Sequence, residues 1–170
     1  MKKVIVIGCP GSGKSTFSKK LRNLTGIELI HLDLLYWNKD KTTVTREIFD
    51  ERLKAATDKD AWIIDGNFQR TLEMRMRLCD TVFFLDIPTE VCLDGISSRR
   101  GTPRSDMPWV ESGNESVGEL ESFVKDFRSG GRQKILELIK AYPDKDIHIF
   151  KSREDMDRYL FNLRQNEVKA

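Results

Sequence analysis

The chain has 170 residues, 39% of them hydrophobic, which suffices for the core of one domain of typical size and leaves no room for a second full domain. Its 29 basic and 27 acidic residues nearly balance, so no global field marks nucleic acid or an acidic membrane surface as a partner. Direct DNA binding gains no support from net charge, although a local basic cluster stays open as a separate matter.

Met1-Lys2-Lys3 leads into only four apolar residues before Gly8, too few for a signal-peptide core or a membrane span, and a cytoplasmic location is expected. Those four residues, Val4-Ile5-Val6-Ile7, predict a strand over 3–7. A helix follows over 13–24, with Phe17, Leu21 and Leu24 on its buried stripe and Gly26 beyond its end. Strands are expected over 28–31, 61–64, 81–85 and 147–150. Between them, helical period covers 45–57 (Ile48, Phe49, Leu53, Ala56), 70–78 and 88–99. The stretch 115–142 reads as two helices separated near Gly130-Gly131, and 153–165 as a last helix with Met156, Tyr159, Leu160 and Leu163 facing inward. Residues 101–118 show no periodicity and hold Gly, Pro, Ser and Asn among a few charges, the composition of a mobile element. Strand-length apolar runs alternating with helical segments predict an α/β fold, a five-stranded parallel sheet with helices on both faces. The whole chain, 1–170, reads as one such domain, with an acceptor-binding segment at about 34–60 and a short lid at about 100–118.

The most specific signal lies in the turn from the first strand to the first helix. Gly8-Cys9-Pro10-Gly11-Ser12-Gly13-Lys14-Ser15-Thr16 matches G-x-x-x-x-G-K-[ST] through Gly8, Gly13, Lys14 and Ser15. At ordinary glycine usage such a match arises by chance in about 1% or fewer of chains this long. Gly8, Gly11 and Gly13 let the backbone amides of this loop approach a phosphate closely, and the positive end of the following helix suits the anion. Lys14 is then expected to reach the β- and γ-phosphates, and the Ser15 hydroxyl to ligate Mg²⁺. Cys9 sits within this loop, either with its pKa lowered by the helix dipole or as a tolerated small residue. Cys9, Cys79 and Cys92 are odd in number and lack metal-ligand spacing, as suits free thiols in a reducing compartment.

Ligands bind beyond the carboxyl ends of parallel strands, which draws attention to the polar residues there. Asp65 ends an apolar run and either joins the Mg²⁺ shell, through water, or caps a turn. Asp33 either takes a proton from, or orients, a substrate hydroxyl, or else caps a helix. Asp86 is read as helix-start chemistry, and His31 and His148 as core or edge residues. Arg99, Arg100 and Arg104 at the start of the irregular segment suggest a lid that neutralises phosphoryl charge, the alternative being a solvated helix end. Arg70 is placed either to meet an acceptor group or to form a surface ion pair. Trp37, Arg46 and Phe68 are candidates to line the acceptor site, Trp37 equally a candidate for the core.

These residues resemble the adenylate-kinase-related group of P-loop kinases, and more closely the bacterial topology modulation proteins. GCPGSGKST resembles the adenylate kinase phosphate loop, Ile64-Asp65-Gly66 with Arg70-Thr71 is similar to that group's DGFPRT, Leu85-Asp86-Ile87-Pro88 to its LDVP, and Ser98-Arg99-Arg100 to its lid entrance. The closer resemblance rests on His31-Leu32-Asp33 with Trp37, on Asp65-Gly66-Asn67 and on Arg104-Ser105-Asp106-Met107. It implies a five-stranded P-loop fold with ATP as donor and Mg²⁺ as metal, moving the γ-phosphoryl group to a nucleotide or another small-molecule acceptor. Arg70 stands five residues after Asp65 where DGFPRT has four, and lid cysteines for zinc are missing from the sequence. A second function class is a nucleotide-dependent regulator associated with DNA topology, with little turnover, for which the Arg99 to Arg104 patch would be the contact.

Overall fold

Val4, Ile5, Val6 and Ile7 are fully buried, with neighbours on both faces, and this is why an unbroken apolar run marks β1 (Lys3–Gly8). The same holds for β3 (Trp62–Asp65) and β4 (Thr81–Leu85), whose residues are buried throughout. The computed structural model describes residues 1–98, 106 and 117–167. With β2 (Leu29–His31) and β5 (Asp146–Phe150), the strands form one parallel sheet in the order β2-β3-β1-β4-β5. The sheet places β1 at its centre, between β3 and β4, where Val6 pairs with Asp65 and Gly8 with Leu85. The chain leaves β1 for β2 on one side and later crosses from β3 to β4 on the other. The carboxyl end of β1 is therefore the topological switch point at which open parallel sheets hold ligands.

Helices α1 (Lys14–Thr25), α3 (Arg46–Thr57), α4 (Gln69–Leu78), α5 (Thr89–Ser97), α6 (Val117–Phe127), α7 (Gly131–Ala141) and α8 (Arg153–Glu167) stand close to their expected bounds, with α2 (Leu32–Tyr36) between β2 and α3. Phe17 of α1 meets Phe83 of β4 edge-on at 4.9 Å and Phe150 of β5 at 5.5 Å, binding helix to sheet through aromatic packing. Burial of each such large side chain contributes roughly 1.5–3 kcal/mol.

Three local expectations need correction. The five-residue α2 went unread because so short an element presents no helical period, and it follows β2 without an intervening loop. Ile48, placed on the buried stripe of α3, is exposed, while Phe49, Leu53 and Ala56 face the core. Asp86 does not start a helix. The N-cap of α5 is Pro88, and Asp86 is buried in an ion-paired cluster described below. Among the described residues no helix is long and apolar enough to cross a membrane.

Candidate active site

Gly13 caps α1 in a left-handed conformation (φ 95°), which lets the chain turn sharply from the loop into the helix. Among the described residues no side-chain hydrogen bond caps this helix, and its own first turn holds no acidic residue. Within the loop, the Ser12 hydroxyl is fully buried and has no hydrogen-bond partner among the described residues. The loop is pressed against α5. A Cβ at Gly11 would lie 2.0 Å from the Cys92 carbonyl oxygen, and one at Gly95 would lie 2.2 Å from that of Gly11. Lys14 curls over the loop, its ammonium donating to the carbonyl oxygens of Gly8 and Cys9 at 3.0 Å each. An uncapped helix start, an orphaned buried hydroxyl and a folded-over lysine form a donor set suited to the phosphates of a nucleotide.

Two side chains given no role in the sequence reading hold this loop and the turn beside it in place. Asn67 accepts from the Gly8 amide at 3.0 Å and donates its own amide to the Gly8 carbonyl at 2.7 Å, tying the β3–α4 turn to the loop's first residue. Arg75, fully buried in α4, donates to the carbonyls of Gly66 at 2.9 Å, of Asn67, and of Phe68 at 3.3 Å. Burial pushes the Arg75 pKa down, opposed by the charges of Cys79 and Asp65. The turn it braces includes Phe68 at φ 32°, a left-handed conformation uncommon for an aromatic residue. A helical arginine at a core-facing position was the available signal.

Asp65 and His31 end neighbouring strands in register, and both are buried. His31 Nδ1 lies 3.0 Å from Asp65 Oδ2. His31 is thus a buried residue, as expected of it, but one that contacts the carboxylate read as a metal-shell group. Asp33 lies two residues on, half-buried in the first turn of α2, where a carboxylate is favoured by the helix dipole. Beyond it, Tyr36, Trp37, Phe49 and Phe68 form a chain of ring contacts at 5.1–5.7 Å. Arg70 stacks over Phe49 at 5.9 Å and pairs with Asp50 of α3, so it faces the segment expected to hold the acceptor. Arg46 is exposed at the start of α3.

On the other side of β1, Asp86 accepts from Arg132 of α7 at 2.7 and 2.9 Å and from Lys151 beyond β5. Burial opposes ionisation of Asp86, but these hydrogen bonds outweigh it and hold the carboxyl below the ordinary range. Lys151 and Ser152 lead into α8, their backbone N–H groups donating to the Asp155 carboxylate at 3.1 and 3.0 Å. The Cys9 thiol is buried and directed at the Val124 carbonyl oxygen at 4.0 Å, and the neighbouring Cys92 thiol together with burial pushes its pKa up. Burial of Cys9 thus favours the neutral thiol over the dipole-activated one that the sequence allowed. Arg99, Arg100 and Arg104 lie outside the described residues, as does most of the expected lid.

Along the carboxyl edge of the sheet the order is thus His31 and Asp33, Asp65, the glycine loop with Lys14 and Ser15, then Asp86 and Lys151. Neither a family model nor a curated protein sequence matches the chain. Among solved structures, shikimate kinase from Acinetobacter baumannii in complex with shikimate is 18% identical and aligns over 99% of this chain and 96% of that one, with a TM-score of 0.61. The chain has a P-loop NTPase fold. In this P-loop fold the motif Gly8 to Thr16 occupies the β1–α1 turn and Asp65 ends the adjacent strand, which brings the loop and that carboxylate to one edge.

Proposed function

We propose that the protein is a kinase that moves the γ-phosphoryl group of Mg-ATP to a nucleotide or another small-molecule acceptor. The observation that carries this reading is the glycine loop with Lys14 and Ser15 beside Asp65, at the switch point of a parallel sheet. Phosphoryl transfer asks mainly for positioning and charge neutralisation, and this edge offers both. The loop amides and the Lys14 ammonium would cradle the β- and γ-phosphates. Ser15 would ligate Mg²⁺, with Asp65, held by His31, in the outer shell. Bound Mg-ATP supplies the transferable group. Asp33, on the acceptor side, would orient the attacking hydroxyl and take its proton. The aromatic chain of Tyr36, Trp37, Phe49 and Phe68, with Arg70, would line the acceptor site. The similar kinase structure is a complex with shikimate, a small-molecule ligand of that protein, which favours the same class of acceptor here. ATP as the donor follows the resemblance to adenylate-kinase-related proteins, and a cytoplasmic location follows the short apolar run of residues 4–7.

The test mixes purified protein and Mg-ATP with nucleoside monophosphates, nucleosides and small phosphorylatable alcohols, and follows acceptor-dependent ADP formation. One acceptor that stimulates turnover, with Lys14→Ala folded and inactive, is the expected result. Wild-type-like turnover by folded Lys14→Ala would sink the assignment. ATP binding with no stimulation by any acceptor class would favour the regulator.

A further inference from the structure

Ser15 stands at the second position of α1, and its hydroxyl donates to Asp106 Oδ2 at 2.6 Å, across 91 positions of sequence. Asp106 is 5% exposed. The distance falls within the ~2.5–2.7 Å range of a hydroxyl bonded to an ionised carboxylate, about twice as strong as a neutral pair. A serine hydroxyl has one proton and two lone pairs, and its rotor turns to suit its surroundings. In a first helical turn the competing arrangement points that proton at a backbone carbonyl. Pinning the proton on Asp106 leaves the lone pairs directed elsewhere and draws charge toward the oxygen. Both effects improve a metal ligand, as second-shell partners do.

Among the described residues no group of three or more His, Cys, Asp or Glu side chains is arranged to hold a metal ion. Mg²⁺ here would be held in the manner usual for nucleotide sites, by few protein oxygens together with phosphates. With so few protein ligands, the orientation of each one matters more. We propose that Asp106 is a positioning residue for the divalent cation of the metal–nucleotide complex, acting through the Ser15 hydroxyl. The inference rests on nucleotide binding by the P-loop, and requires neither an acceptor nor turnover.

The experiment measures ATP binding by calorimetry in EDTA and in Mg²⁺, and Mn²⁺ binding in the presence of ATP by electron paramagnetic resonance. The proteins compared are wild type, Asp106→Ala, Asp106→Asn, Ser15→Ala and the Ser15→Ala/Asp106→Ala double variant. Asp106→Ala is expected to weaken Mn²⁺ binding by about tenfold, the usual loss for a second-shell partner, with metal-free ATP affinity within about twofold of wild type. Asp106→Asn keeps the size and an accepting oxygen, so it falls between the two and carries the test if Asp106→Ala does not fold. Because Asp106 acts through Ser15, the double variant should match Ser15→Ala within about twofold. Unchanged Mn²⁺ affinity in both folded Asp106 variants overturns the inference, as does a double-variant loss equal to the product of the single losses. A wild-type protein that binds ATP in neither buffer overturns the proposed function itself, and the inference with it.

Discussion

His31 Nδ1 lies 3.0 Å from Asp65 Oδ2, at paired ends of β2 and β3. The contact gives a buried carboxylate beside the P-loop a fixed direction. Replacing His31 by Ala strands Asp65 in a site that leaves it only 4% exposed, and the expected cost is about 1–3 kcal/mol in urea unfolding. His31→Asn, which keeps a donor near the same place, should recover part of it. Equal stability of His31→Ala and wild type would show that Asp65 does not depend on the imidazole.

Asn67 exchanges two hydrogen bonds with the Gly8 backbone. Asn67→Ala removes both without changing the loop sequence. A loss of roughly 1–3 kcal/mol and weaker ATP binding are expected together, since the same bonds that stabilise the turn set the loop's entry angle. Melting and calorimetry on one preparation check the pair of effects. Full ATP affinity in a destabilised variant would separate loop geometry from stability.

Gly11→Ala places a Cβ 2.0 Å from the Cys92 carbonyl oxygen at φ +80°. Backbone must move on one side or the other, at a cost of roughly 3 kcal/mol. Gly95→Ala meets the Gly11 carbonyl at 2.2 Å and should behave alike, although it lies outside the motif. Thermal melts of both variants test whether α5 is the support of the P-loop.

Asp86 carries a pH prediction. Hydrogen bonds from Arg132 and Lys151, winning over burial, lower its folded-state pKa, whereas the unfolded value is about 3.9. A depressed carboxyl contributes stability that is present above the unfolded value and disappears as pH falls through the folded one. Asp86→Asn removes that contribution, so the gap in melting temperature between wild type and variant should be widest above about pH 5 and close at lower pH. At neutral pH the gap corresponds to about 2 kcal/mol, below the range for fully buried pairs because Lys151 is largely exposed. A gap independent of pH would mean that the cluster acts through packing alone.

Arg70 faces Asp50 and Phe49 in the segment assigned to the acceptor. Under the proposed function, Arg70→Ala raises the KM for the acceptor by about tenfold, the worth of one charge-assisted hydrogen bond, and leaves ATP affinity unchanged. An unchanged acceptor KM would make Arg70 a surface ion pair and nothing more.

The fold class was legible because its signals are local. Buried parallel strands require unbroken apolar runs, helices that cover them require a 3.6-residue period, and the glycine loop must occupy consecutive positions to wrap an anion. Gly8 to Thr16 and the five strands could be placed within a residue or two on those grounds. What the linear chain could not show is pairing over long separations. Nothing local in His31, Asn67 or Asp106 announces a partner, because each hydrogen bond depends on the packed fold rather than on neighbours in sequence. Asp86 illustrates the limit from the other side. Its local context, four residues before the helical Glu90, suggested a helix start, while the sheet order carried Arg132 and Lys151 to it from 46 and 65 positions away. The sequence by itself determined that a phosphate loop would form in a parallel α/β sheet. Only the tertiary structure decided which side chains brace that loop, since a buried polar group takes whichever partner the packed fold brings within 3 Å.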